Sequence, residues 1–181
     1  MEEKTIKQYN QVIGHCRELF EKKAKDYGTA WRIMRMPSIT DQIYIKINRI
    51  RSIQDKGQQQ VNEAIEDEFV AIINYSLIAM IQISLEGDDR IEIPADELMK
   101  LYDQFANETL ELLQRKNHDY GEAWRDMRVS SITDIILMKV YRVKQIEDNE
   151  GHTLVSEGVK ANYQDMLNYS VFALILSEFV K

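Results

Sequence analysis

The chain has 181 residues, a length that suits one large domain or two small ones and can bury a sizeable core. Seven glycines and two prolines make up about 5% of it, against roughly 12% in average usage, which argues against an all-β sandwich or barrel. A formal net charge of −7 argues against a broad nucleic-acid face, the single Cys16 excludes an intramolecular disulfide and a multi-cysteine zinc site, and 44% hydrophobic content is too apolar for disorder.

The first ten residues are polar and charged, so no secretory signal is expected and the protein reads as cytoplasmic. Ile6, Val12, Ile13, Cys16, Leu19 and Phe20 recur at helical spacing and predict a first helix from about Glu3 to Lys25. It should stop at Asp26-Tyr27-Gly28, where glycine can take the left-handed conformation that satisfies terminal carbonyls. A second helix is predicted from Ser38-Ile39-Thr40-Asp41, a variant capping box, to about Asp55, with Ile39, Ile43, Ile50 and Ile53 facing inward. A third runs from about Val61 to Ser84, apolar on nearly all sides in its C-terminal half and therefore central. Its uncharged stretch, Phe69 to Leu85, approaches the length of a membrane span, but Asn74, Ser76, Gln82 and Ser84 within it favour a core helix and no membrane. The acidic segment Glu86 to Asp96, with Gly87 and Pro94, reads as a linker.

Beyond that linker the chain repeats itself. DYGTAWRIMRMPSITDQIYIKINRIRSI, from Asp26, is echoed by DYGEAWRDMRVSSITDIILMKVYRVKQI, from Asp119. Upstream, Tyr9, Glu18, Leu19 and Lys23 recur as Tyr102, Glu111, Leu112 and Lys116; downstream, after a one-residue insertion, Glu63 and Asn74-Tyr75-Ser76 recur as Glu157 and Asn168-Tyr169-Ser170. The expected fold is all-α: two tandem three-helix repeats, residues 1–88 and 94–181, packed as a pseudo-twofold six-helix bundle. The third helices, the second of them from about Thr153 to Phe179, should lie near its centre, because neither unit alone can cover one.

Three groups of residues could carry chemistry. Lys46 falls within the apolar stripe of the second helix, as Lys139 does among Ile132, Ile136, Val143 and Ile146. Each ammonium either snorkels or needs a carboxylate or phosphate partner, and Arg49 and Arg142 stand one turn further on, where they could enlarge the same cationic spot. On the third helix Glu63, Asp67 and Asn74 lie within about 40° of one another, a line of oxygen ligands suited to Mg²⁺ or simply a solvated acidic first turn. Glu157, Asp165 and Asn168 form a looser set in the second copy; Asn74 and Asn168, set among apolar residues, need partners. Lys46 and Lys139 are expected to pair with Glu63 or Asp67 and with Glu157 or Asp165. The loops add Tyr27, Trp31, Arg32 and Arg35, and Tyr120, Trp124, Arg125 and Arg128, a mixture of aromatic faces and guanidinium groups that suits a nucleobase and its phosphates or, alternatively, a tryptophan plug over the core. Asp41 and Asp134 read as helix caps rather than ligands.

Lys-x-x-Asp-Tyr-Gly, a following Trp, a helix with Lys-x-x-Arg, and a Glu leading into Asp-x-x-Asn-Tyr together resemble the family called nucleotide modification associated domain 1. That family in turn looks like the all-α nucleoside triphosphate pyrophosphatases of the MazG and dimeric dUTPase type. The resemblance implies a helical bundle in which acids hold Mg²⁺ and a triphosphate is cut between its α and β phosphates. The metal ligands would be Glu63, Asp67, Glu157 and Asp165, with Lys46, Arg49, Lys139 and Arg142 stabilising charge. The chain departs from that pattern: Ala71 stands where the second copy has Asp165, Ala161 stands where the first has Asp67, and the second helices lack paired glutamates. Three functions stay open: a Mg²⁺-dependent nucleotide hydrolase, a non-catalytic nucleotide-binding or assembly module, and a structural bundle with a buried ion-pair network. Expected partners are a nucleotide or nucleoside triphosphate, with nucleic acid disfavoured and a homo-oligomer left open. Nucleotide binding should be Mg²⁺-dependent and centre on the first copy, whose Glu63, Asp67 and Asn74 make the more compact oxygen face.

Overall fold

The computed structural model describes residues 1–57, 64–154 and 157–180. Among them are six α-helices: α1 Glu3–Tyr27, α2 Met36–Lys56, α3 Ile65–Ser84, α4 Ala95–Tyr120, α5 Val129–Asp148 and α6 Val159–Leu176. A single 3-10 turn follows α1 at Ala30–Ile33 and another follows α4 at Ala123–Asp126. The architecture is the expected all-α tandem repeat, α1–α3 and α4–α6. Glu63 falls outside the described residues.

Several boundaries differ from the sequence reading. α1 and α4 end at the expected glycines, Gly28 (φ 60°) and Gly121 (φ 62°), whose N–H groups close the last turns on Ala24 and Asn117. α2 begins at Met36 rather than at Ser38, with Pro37 in its first turn. Proline has φ preset for a helix and no N–H to leave unpaired there, so it replaces the expected capping box. α5 likewise begins early, at Val129 and without a proline, and no side chain caps either helix, so Asp41 and Asp134 are not caps. They form ion pairs between the copies, Asp41 with Lys144 and Asp134 with Arg51 at 3.0 Å.

α3 and α6 pack against each other at the centre, flanked by α2 and α5, which also touch one another; α1 and α4 close the outside. The apolar stripe of α2, Ile39, Ile43, Ile47 and Ile50, is fully buried, as are Ile72, Ile73, Leu77 and Met80 of α3 and Met166, Leu167, Val171 and Leu174 of α6. α3 is long and apolar enough to cross a membrane by length and composition, but most of it is enclosed by the other helices. Burial of both third helices is what the interface between copies supplies.

Polar contacts across that interface come in matched pairs, as a pseudo-twofold requires. The Tyr9 hydroxyl donates to Asn168 Oδ1 at 2.9 Å, and its counterpart Tyr102 donates to Asn74 Oδ1 at 2.9 Å. Gln54 Nε2 donates to Thr133 Oγ1 at 3.1 Å; in the mirrored position Thr40 donates to Glu147 Oε1 at 2.7 Å. The loops are clasped too: Arg32 donates to the carbonyls of Asp88 and Arg90 in the linker ahead of α4, and Arg125 crosses to Thr5 and Gln8 in α1 of the first copy.

Glu147 is the costly member of these pairs. Burial raises its carboxyl above the usual glutamate range, and the hydrogen bonds from Thr40 and Tyr163 only partly offset this. The raised value means that its ionised form destabilises the fold above the folded pKa, and that the penalty vanishes below the unfolded pKa of about 4.3. Glu147→Gln copies the amide that the first copy uses at Gln54. It should raise the melting temperature at pH 7 by no more than a few degrees, because solvent screens part of the penalty on a half-buried carboxylate. Thermal melts of both proteins between pH 4 and pH 8 check this, and the gain should shrink toward the acid end.

Candidate binding pockets of the two copies

Each copy has a pocket beneath its Tyr-Gly-x-x-Trp loop. In the first, of about 400 Å³, the walls are the end of α1 (Phe20, Lys23, Ala24, Tyr27), Trp31 of the loop, Lys46 of α2, and Asp67, Glu68, Ala71, Asn74, Tyr75 and Ile78 of α3. The second, of about 570 Å³, uses the equivalent Leu113, Lys116, Asn117, Tyr120, Trp124, Asp165, Asn168, Tyr169 and Phe172. The local cause is the glycine: positive φ at Gly28 and Gly121 turns the chain off the helix end, so that the following tryptophan swings back over the third helix.

Both stripe lysines have the acidic partner on a third helix that their position demanded. Lys139 Nζ lies 2.7 Å from Asp165 Oδ2, as expected. Lys46 pairs with Glu68, 3.2 Å from Oε2, and not with Asp67, which is exposed on the pocket rim. Glu68 is the residue the sequence reading missed. The signal was its place at the edge of the uncharged run from Phe69, where an acid turned into an apolar helix interface must find a cation. Its Oε1 accepts from Arg49 at 2.6 Å. Oε2 is buried with no aligned hydrogen bond, so the Lys46 contact there is one of charge only.

The two copies solve the same charge problem one helical turn apart. Glu68 corresponds to Asn162, and Ala71 to Asp165. In the first copy the buried acid neutralises Lys46 and Arg49. In the second it neutralises Lys139 and, through Oδ1 at 2.8 Å, Lys116. Burial alone would raise the Asp165 carboxyl, but hydrogen bonds from Lys116 and Lys139 outweigh it and hold the group below the usual aspartate range. For Lys116 burial pulls the other way, and its Asp165 hydrogen bond leaves the ammonium above its ordinary value. The leftover cations differ in consequence: Arg142 is exposed on the second copy, whereas in the first copy Lys23, which makes no ion pair with a described residue, lines the pocket.

The aromatic residues divide in the same way. Trp124 is buried, stacked on Phe172 at 4.1 Å and 5° between planes, with the Arg125 guanidinium 4.4 Å from its ring centre. Trp31 is half-buried, has Ile78 where the other copy has Phe172, and has no ring partner among the described residues. Tyr27 and Tyr120 are exposed on the pocket edges. The loop arginines serve the fold: Arg32 also donates to Gln82 at 2.6 Å and Arg125 to Glu122 at 3.0 Å, while Arg35 and Arg128 are exposed at the helix starts. Asn74 and Asn168 line the pockets, but their amide oxygens are taken by Tyr102 and Tyr9, and Asn74 Nδ2 donates to the Cys16 carbonyl.

Among the described residues the acids do not gather into a divalent-ion cage. Glu68 and Asp165 are each committed to two cations, Asp67 and Glu157 are exposed, and no cluster of three candidate ligands exists among the described residues. A Mg²⁺ ion needs one or two free carboxylates facing the substrate phosphates; of the expected ligands in the first copy, Asp67 is exposed on the pocket rim and Glu63 lies outside the described residues.

A family profile described as nucleotide modification associated domain 1 matches residues 23–83 and again residues 116–176, so that each match takes in one pocket. No curated protein and no solved structure matches the chain.

Proposed function

We propose that this chain, which belongs to the nucleotide modification associated domain 1 family, is a non-catalytic nucleotide-binding protein, with the pocket of its first copy as the binding site. The observation that carries the reading is the composition of that pocket: the unstacked Trp31 ring and two tyrosines stand beside the ammonium groups of Lys23 and Lys46. A base stacks on the aromatic wall, and the phosphate end meets the lysines. No hydrolytic step is derived, because the buried acid of each pocket, Glu68 in the first and Asp165 in the second, is neutralised by cations.

Thermal shift and calorimetric titration against nucleoside mono-, di- and triphosphates, with and without Mg²⁺, test this. A nucleotide should raise the melting temperature, and Trp31→Leu should weaken its binding by roughly five- to a hundredfold, the scale of one lost base–aromatic stack, about 1–3 kcal/mol. Assays of pyrophosphate release on the same panel should stay silent. Absence of any nucleotide-induced shift would sink the binding reading; pyrophosphate release dependent on Mg²⁺ would restore the hydrolase.

A further inference from the structure

The second copy contains, as its own side chains, what the first copy lacks at matched positions. Phe172 stacks on Trp124 where Ile78 leaves Trp31 without a ring. The Asp165 carboxylate bridges Lys116 and Lys139, whereas Ala71 offers only a methyl group to the pocket that Lys23 and Lys46 line. Asp165 and Phe172 stand seven residues apart on α6, about 10 Å along its axis, and an aromatic ring and an anion are the two ends of a nucleotide. Resting on the nucleotide reading above, we propose that the chain binds one nucleoside monophosphate, seated in the first copy with its phosphate beside Ala71, and that Phe172 and Asp165 are built-in substitutes for that ligand's base and phosphate, which close the second copy to it.

Charge selects the monophosphate. The first pocket is lined by two ammonium groups, one of them already shared with Glu68, and by the carboxylates of Asp67 and Glu68. Arg49 also holds Glu68, so Lys46, which touches that acid by charge alone, can together with Lys23 match one phosphoryl group, but the further charges of a triphosphate would face Asp67 and Glu68 unpaired. The second pocket is the roomier, so what bars a phosphate from it is the fixed carboxylate and not lack of space.

Calorimetric titration of the full chain with the common nucleoside 5′-monophosphates, their nucleosides and their triphosphates tests the assignment. Expected are one monophosphate per chain and at least tenfold preference for it over both its nucleoside and its triphosphate. Ala71→Asp, which installs the second copy's own arrangement, should erase the preference for monophosphate over nucleoside while leaving nucleoside affinity within about threefold. Ala71→Asn, of equal size without the charge, should keep part of that preference. Two ligands per chain, an undiminished preference in Ala71→Asp, equal losses in the Asp and Asn variants, or tighter triphosphate binding would each overturn the proposal while leaving nucleotide binding standing. Absence of binding by every nucleotide would instead fail the function proposed above.

Discussion

Replacing Asp165 by Ala should lower the melting temperature at pH 7 by on the order of 10 °C. The Asp165 side chain is 11% exposed and is the shared partner of two ammonium groups, of which the Lys139 side chain is only 13% exposed. Removing one member of a buried pair strands the other charge and costs about 3–5 kcal/mol, and a chain of this length loses roughly 2–4 °C per kcal/mol. Because the folded carboxyl titrates below its ordinary range, this stabilisation is complete above the unfolded pKa of about 3.9 and is lost as the pH falls through the folded value. The gap between wild type and variant should therefore narrow in melts run below pH 4. The double variant Asp165→Ala/Lys139→Met should recover part of the loss, since it removes the more buried stranded charge. A single variant that melts within 2 °C of wild type would show that the triad contributes little to the fold.

Residues 94–181 expressed alone should show no cooperative thermal transition as a monomer, and neither should residues 1–88. Ile72, Ile73, Leu77 and Met80 of α3, and Met166, Leu167, Val171 and Leu174 of α6, are fully buried in the intact chain, and the two helices bearing them pack on each other. Exposing such a side chain costs about 1.5–3 kcal/mol, so four of them on one helix approach the 5–15 kcal/mol that holds an entire domain together. The same cut strands Asn74 without Tyr102 and Asn168 without Tyr9. Co-expressed halves should assemble one to one and regain a single sharp melt. Circular dichroism and analytical ultracentrifugation of each half and of the mixture measure this. A monomeric half that melts cooperatively would make the copies independent domains.

The repeat, the all-α class, the three helices of each unit and the apolar stripes were legible in the residues, because these are local or periodic features: helical spacing, glycine at a helix end, self-similarity along the chain. So was the demand that Lys46 and Lys139 find an acid on a third helix, since a cation on an apolar stripe has few alternatives. Which acid answers was decided in three dimensions. Asp67 aligns with Asn74 around the helix, but α2 meets α3 on a different side, the side where Glu68 sits. The angle around a helix says which residues share a face; only the packing of its neighbours says which face meets which partner.

The same limit applies to the caps and the asparagines. Asp41, Asp134, Asn74 and Asn168 all carry contacts between the copies, and their partners lie tens of residues away in the chain. The difference between the pockets was likewise written in the sequence as Ala71 against Asp165 and Ile78 against Phe172. It became chemistry only when the fold brought Lys116 and Lys139 to one carboxylate and laid Phe172 flat on Trp124. Ion pairing and ring stacking depend on separations of a few ångströms, which local sequence does not determine and tertiary packing does.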